Sequence, residues 1–245
     1  TWEGGFRVPM MVKWPGKIKP GLEFELNMVM NHRSAKTWLF DLDNTLYPLE
    51  SGLFDQVRSR IGDFMVRHCG VSTANVAAAQ QRYRDEFGST LAGLMAEKQT
   101  EPAPFLSFVH DVDYGVINPN PLLVRALAGL EGRRYIFTNG STEHAEKVLN
   151  RLGIAALFDD VFDIARADYV PKPKPEPYDR IVRDFGLVAR ETIFVEDMAR
   201  NLAPAKSRGM TTVLVAPTAG AATEEADYVI SDLAAWLSDS GPATS

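Results

Sequence analysis

Thr37-Trp38-Leu39-Phe40-Asp41-Leu42-Asp43-Asn44-Thr45-Leu46-Tyr47-Pro48 is the stretch on which the reading of this chain turns. Its first four residues form a short apolar run that suits a buried parallel strand. Two carboxylates follow, two positions apart, where that strand ends. In extended backbone, residues i and i+2 project to the same side, so Asp41 and Asp43 face one spot. Two nearby carboxylates repel unless one is protonated or a cation sits between them. The pair offers a nucleophilic carboxylate and a neighbouring acid/base group. The simpler alternative is a polar turn, with Asp43 and Asn44 bonding the local backbone.

Outward from this stretch the pattern alternates. From about Phe54 to Asp113 it is helical, with Phe54, Val57, Ile61 and Phe64-Met65 at spacings of three and four. Thr73–Tyr83 and Leu91–Met95 continue in that vein. Arg134–Thr138 reads as a strand, followed by a helix that stops at Gly153. Val161–Ile164 is another short strand. Tyr178, Ile181, Val182 and Phe185 make a helical stripe with Gly186 as its C-terminal cap. Strand Thr192–Val195, helix Ala199–Ser207, strand Thr211–Val215, edge strand Tyr228–Ile230 and helix Leu233–Leu237 complete the series. This order predicts an α/β fold, a doubly wound parallel sheet (Rossmann-like) with an inserted helical cap domain. The expected division is a core of residues 34–53 and 116–245, a cap of residues 54–115, and an appended segment of residues 1–33. Such sheets bind ligands beyond the carboxyl ends of their strands.

Three more segments fall at that edge. Phe137-Thr138-Asn139-Gly140-Ser141 places a hydroxyl at a strand end before a helix N-terminus, a plausible phosphate cradle. A plain helix cap by Asn139 or Ser141 is the alternative. Val170-Pro171-Lys172-Pro173-Lys174-Pro175-Glu176-Pro177-Tyr178 stiffens a loop carrying two lysines, or is a solvated linker whose Pro175 or Pro177 opens the next helix. Phe194-Val195-Glu196-Asp197 ends a strand in two acids, which suit a hard cation or merely begin a helix. Together the four segments bring a nucleophile, an acid/base group, a hydroxyl, an ammonium and metal-binding carboxylates to one cleft.

At these residues the chain resembles the haloacid dehalogenase superfamily of phosphatases. The order Asp-x-Asp-x-Thr, strand-terminal Thr, Lys-Pro and strand-terminal acidic pair matches its four motifs, from about Thr37 to the C-terminal region. Phe40 to Pro48, Lys172-Pro173 with Tyr178, and Phe194 to Asn201 are most similar to the pyrimidine 5′-nucleotidase branch, which inserts a helical cap after the first motif. The resemblance implies that Asp41 forms an aspartyl-phosphate, and that Asp43 protonates the leaving oxygen and then activates water. It implies phosphate binding by Thr138, Asn139 and Lys172. It implies Mg²⁺ held by Asp41, Asp197 and the backbone carbonyl of Asp43, with Glu196 acting through water. Lys172 is preferred to Lys174 because Tyr178 then falls where the family places its aromatic. Dehalogenating relatives lack the second aspartate, so Asp43 argues for phosphate chemistry. The implied activity is Mg²⁺-dependent hydrolysis of a small phosphorylated metabolite, with nucleoside monophosphates as candidates. A sugar-phosphate phosphatase or phosphomutase of the same superfamily is the alternative. A catalytically silent binding module is disfavoured by retention of all the charged groups.

The bulk properties narrow the classes further. The 245 residues carry a net charge of −6 and no long basic run, so no nucleic-acid partner is expected. A small anion needs a local positive site against that field. Cys69 is alone and cannot form an internal disulfide, which points to a structural thiol and a reducing, cytoplasmic setting. No apolar run reaches the ~18 residues of a membrane span, so no membrane partner is expected, and the N-terminus lacks a secretory layout. His32, His68, His110 and His144 show no metal-ligand spacing and read as ordinary polar residues. Residues 1–21, with Gly4-Gly5, Trp14-Pro15-Gly16 and Lys19-Pro20-Gly21, resemble a stretch of arylsulfatases, but the Cys/Ser-x-Pro-x-Arg nucleophile pattern is absent. That segment is expected to be a fusion, a cloning junction or the result of a misplaced start, packing weakly, with Met28 or Met30 a reasonable start. Oligomeric state is not legible.

Overall fold

The computed structural model describes residues 35–216 and 223–238. The segment expected to be appended over residues 1–33, with its sulfatase-like stretch and His32, lies outside the described residues.

Strands β1 (Thr37–Phe40), β2 (Arg133–Phe137), β3 (Asp160–Phe162), β4 (Thr192–Glu196), β5 (Thr211–Val215) and β6 (Tyr228–Ile230) form one sheet in the order β3-β2-β1-β4-β5-β6. Every neighbouring pair is parallel. The chain moves outward from β1 to β3, then returns to the other side of β1 as β4. That reversal is the switch point of a doubly wound sheet, where a ligand crevice opens beyond the strand ends.

Burial follows the two-residue period. Trp38 and Phe40 join Ile136, Ile193, Val195 and Val213 in a core on one face. Leu39 joins Tyr135, Phe137, Phe194 and Leu214 on the other. Both faces are covered, so the central strands read as continuous apolar runs rather than alternating ones.

Between β1 and β2 the chain forms α1 (Leu53–Cys69), α2 (Val76–Phe87), α3 (Thr90–Lys98) and α4 (Pro102–Val109). These helices hold a separate core of Phe64, Met65, Tyr83, Leu91, Leu94, Phe105, Leu106 and Val109, which Ile164 joins. Gly93 lets α3 approach α2: a Cβ there would lie 2.1 Å from Cδ1 of Tyr83. Gly93→Ala is expected to destabilise by about 1–3 kcal/mol through overpacking. A thermal melt reads this directly, and an unchanged melting temperature would show that the two helices part freely.

α5 (Pro121–Ala128), an eight-residue helix opened by Pro121 and capped by the Asn120 side chain, has no counterpart among the elements expected from the sequence pattern. α6 (Thr142–Leu152) and α7 (Pro175–Phe185) end at Gly153 and Gly186, both left-handed, as their spacing indicated. α8 (Ala199–Ser207) and α9 (Leu233–Ser238) follow β4 and β6. α6 packs on the Phe40 face, and α7 and α8 pack on the Leu39 face. Among the described residues, no helix is long and apolar enough to cross a membrane.

Candidate active site

β1 delivers Asp41 to the switch point. Its N–H donates to the Val195 carbonyl at 2.9 Å, continuing the ladder one residue past the strand. The register Phe40↔Ile136 and Phe40↔Val195 sets Asp41 beside Phe137 and Glu196. The chain then turns through Asn44, whose φ of 60° is a left-handed conformation that Asn tolerates. This turn returns the Thr45 hydroxyl to donate to Asp41 Oδ2 at 3.1 Å.

Lys172 is only 1% exposed. Its ammonium has three hydrogens and three acceptors: Asp41 Oδ1 at 2.8 Å, Glu196 Oε2 at 2.7 Å and the Phe137 carbonyl at 2.7 Å. The rings of Phe137 and Phe194 lie 4.9 and 5.3 Å from it. Burial opposes the charge, but Asp41 and Glu196 outweigh it and hold the ammonium above its ordinary range. Asn139 clamps the Lys172 backbone on both sides, accepting from its N–H at 2.8 Å and donating to its carbonyl at 3.2 Å. The Asn139 amide is thereby committed to positioning the lysine loop. Lys174 is exposed at the start of α7. Tyr178 is fully buried, with its hydroxyl on the Asn201 carbonyl and its ring edge-on to Phe137. Thr138, 2% exposed at the end of β2, accepts the Gly140 N–H at 2.9 Å.

Carboxylate oxygens of Asp41, Glu196 and Asp197 lie within 4.8 Å of one another. Burial, with the charge of Glu196 and against that of Lys172, raises the Asp41 carboxyl to about 7. Burial and the charge of Asp41 raise that of Asp197 to about 9. Three carboxylates against one ammonium leave an excess of negative charge, and all the donors are oxygens. That donor set fits a hard divalent cation. Glu196 already accepts Lys172 on Oε2 and the Met198 N–H on Oε1, at 3.2 Å.

The Asp43 side chain faces a different network. Its Oδ1 accepts the Tyr47 hydroxyl and meets Nε2 of His144 at 2.8 Å. Burial alone would raise the Asp43 carboxyl, but His144 and Tyr47 outweigh it and lower it. The two aspartates are thus pushed in opposite directions: with no cation bound, the surroundings favour the protonated form of Asp41 and the ionised form of Asp43. His144 is wholly buried, and His110 stacks on it with ring centroids 4.2 Å apart. Both histidines read as ordinary polar residues in sequence; the structure places them behind Asp43. The signal for His144 is its place three residues after Ser141, which caps α6 through the His144 N–H at 3.3 Å.

Residues 35–209 match the model of the haloacid dehalogenase-like hydrolases. The chain is similar to Phosphate metabolism protein 8 of Saccharomyces cerevisiae, 26% identical over 195 residues, covering 72% of this chain and 60% of that one. A glyceraldehyde 3-phosphate phosphatase of Methanocaldococcus jannaschii is 32% identical over 111 residues, covering 43% and 48%. One from Methanopyrus kandleri is 27% identical over 199 residues, covering 74% and 83%. The chain therefore spans 60% or less of the length of the first two relatives. The L-2-haloacid dehalogenase of Xanthobacter autotrophicus shares the fold with a TM-score of 0.54 at 20% identity, covering 85% of this chain and 100% of that one. With a family match over residues 35–209 and this parallel sheet, the chain belongs to the haloacid dehalogenase-like hydrolase family.

Proposed function

We propose that the chain hydrolyses phosphomonoesters through an aspartyl-phosphate on Asp41. The observation that carries this reading is the buried Asp41 carboxylate at the switch point, bonded to the Lys172 ammonium and within 4.8 Å of carboxylate oxygens of Glu196 and Asp197. A carboxylate oxygen of Asp41 attacks phosphorus, and the bond from phosphorus to the ester oxygen breaks. Asp43, whose carboxyl His144 and Tyr47 lower, first takes up a proton and then gives it to that departing oxygen. In the second step Asp43 takes a proton from water, whose oxygen attacks phosphorus and releases Asp41 and inorganic phosphate. Phosphoryl transfer depends chiefly on positioning and on neutralising oxygen charge. Thr138 and Lys172 are the groups assigned to the phosphoryl oxygens. Lys172 must exchange one of its three protein acceptors to reach them.

Asp41, Asp197 and the backbone carbonyl of Asp43 would hold Mg²⁺, with Glu196 acting through water. When bound, the ion supplies positive charge against the phosphoryl oxygens. The helices α1–α4 serve in this reading as the cap that selects the ester. The names of the two glyceraldehyde 3-phosphate phosphatases favour a small phosphorylated metabolite, and the pyrimidine 5′-nucleotidase resemblance favours a nucleoside monophosphate.

Phosphate release from a panel of nucleotides and sugar phosphates, with and without EDTA, tests the proposal. Release that survives EDTA would remove the metal from it, and no release from any ester would leave a binding module. Asp43→Asn is expected to slow turnover by about 10²–10⁴-fold, the usual range for a general acid–base group. Full activity in that variant would overturn its role.

Metal also makes a prediction about stability. The carboxyls of Asp41 and Asp197 are raised from an ordinary 3.8 to about 7 and about 9. The folded protein therefore keeps protons that the unfolded chain releases, and their stabilisation is lost as pH rises through those values. Mg²⁺ binds the deprotonated folded site, so its upward shift of the melting temperature should be larger near pH 9 than near pH 6. Equal shifts at the two pH values would place the ion elsewhere.

A further inference from the structure

We propose that His144 is the positioning residue for Asp43, and that it leaves Asp43 Oδ2 as the oxygen that exchanges protons with the substrate. This inference rests on the phosphomonoesterase reading above. Two donor-bearing groups converge on Oδ1, the Tyr47 hydroxyl and the His144 ring at 2.8 Å. Among the described residues, Oδ2 has no partner, and the side chain keeps 15% exposure. The two Oδ1 partners differ in what they can fix. Tyr47 lies four residues on in the same loop and moves with it. His144 belongs to the first turn of α6, 101 residues away in sequence, and ties the loop to the packed core.

The His144 ring is itself immobilised. It has no exposed surface. Its Nδ1 meets the Tyr114 hydroxyl at 2.9 Å, and that hydroxyl donates to the His110 carbonyl at 2.9 Å. The His110 ring lies nearly parallel to it, at 13°. His110 is fastened in turn through Nδ1 to Ser141 Oγ at 3.1 Å. Turning the His144 ring breaks bonds at both nitrogens. A fully buried ring cannot touch the ester, so its effect must pass through Asp43. Without it the Asp43 carboxyl keeps only the Tyr47 hydroxyl, which belongs to the same loop, and a displacement near 1 Å at a reacting group costs about 10²-fold in rate.

A positioning role has a signature that general loosening of the fold lacks. Proton donation matters most when the leaving oxygen is a poor leaving group. The test compares kcat/KM for p-nitrophenyl phosphate, with its good leaving group, and glycerol phosphate, an alkyl ester, at one pH with Mg²⁺ present. His144→Phe keeps a stacked ring and removes the bond. It is expected to lower kcat/KM for the alkyl ester by about 10–10²-fold and for the aryl ester by about threefold or less. His144→Gln restores a polar group near the Nε2 position and should recover most of the alkyl-ester loss. Circular dichroism checks the fold. If the Phe variant does not fold, His144→Asn, too short to reach Asp43, replaces it in the comparison. Equal losses for both esters, or no recovery in the Gln variant relative to Phe, overturns the role of His144. Failure of the wild-type protein to hydrolyse any phosphomonoester would instead overturn the reading on which this inference stands.

Discussion

Asp41→Asn should reduce phosphate release by on the order of 10⁴–10⁶-fold, the scale seen when a covalent nucleophile or its activating partner is removed. The amide keeps the shape of the carboxylate: its oxygen can accept from Lys172 and its NH2 can donate to the Thr45 hydroxyl, at the positions where the native oxygens accept at 2.8 and 3.1 Å. It cannot form the acyl phosphate under these conditions. The fold should survive, because the substitution also removes a buried carboxylate whose ionisation burial and Glu196 already oppose. Steady-state phosphate release and a melting curve measured together decide the matter. Turnover near wild type would remove Asp41 as nucleophile. Loss of turnover accompanied by unfolding would show instead that its charge is structural.

Lys172→Met should be the most destabilising substitution in the core. It leaves Asp41 Oδ1, Glu196 Oε2 and the Phe137 carbonyl without their donor in a site that is almost closed to water. Breaking a buried ion pair by removing one partner costs about 3–5 kcal/mol. For a chain of this size that lowers the melting temperature by on the order of 10 °C. The melt belongs well above the wild-type value of Asp41, about 7, because losing Lys172 raises that carboxyl further and a proton bound there blunts the effect. Adding Glu196→Gln should return part of the loss by removing one uncompensated charge, a coupling that a double-mutant cycle reads. If Lys172→Met melts with the wild type, the ammonium does not hold the two acids together.

Much of the architecture could be read along the chain. Thr37–Phe40, Thr192–Val195 and Thr211–Val215 were legible as strands because parallel strands covered on both faces are apolar throughout. Gly153 and Gly186 marked helix ends because a left-handed residue closes them. α5 did not stand out in the pattern, although its Asn120 cap and Pro121 start are local features. In the site, Asp41, Lys172, Glu196 and Asp197 could be nominated because each follows a strand or enters a helix at the same edge. The duty of Asn139 could not, since it depends on a loop 33 residues away.

Sequence alone determined that a parallel α/β sheet would carry acids at its carboxyl edge, because strand periodicity and helix caps are local properties of neighbouring residues. Only the tertiary structure decided which groups meet. His144 looked unremarkable among four scattered histidines, and it became the anchor of Asp43 only when α6 packed against the β1 loop. The saturation of Lys172 likewise needed three elements, distant in sequence, to bury one ammonium. Contacts across such separations depend on how helices and strands pack, and no local pattern of residues encodes them.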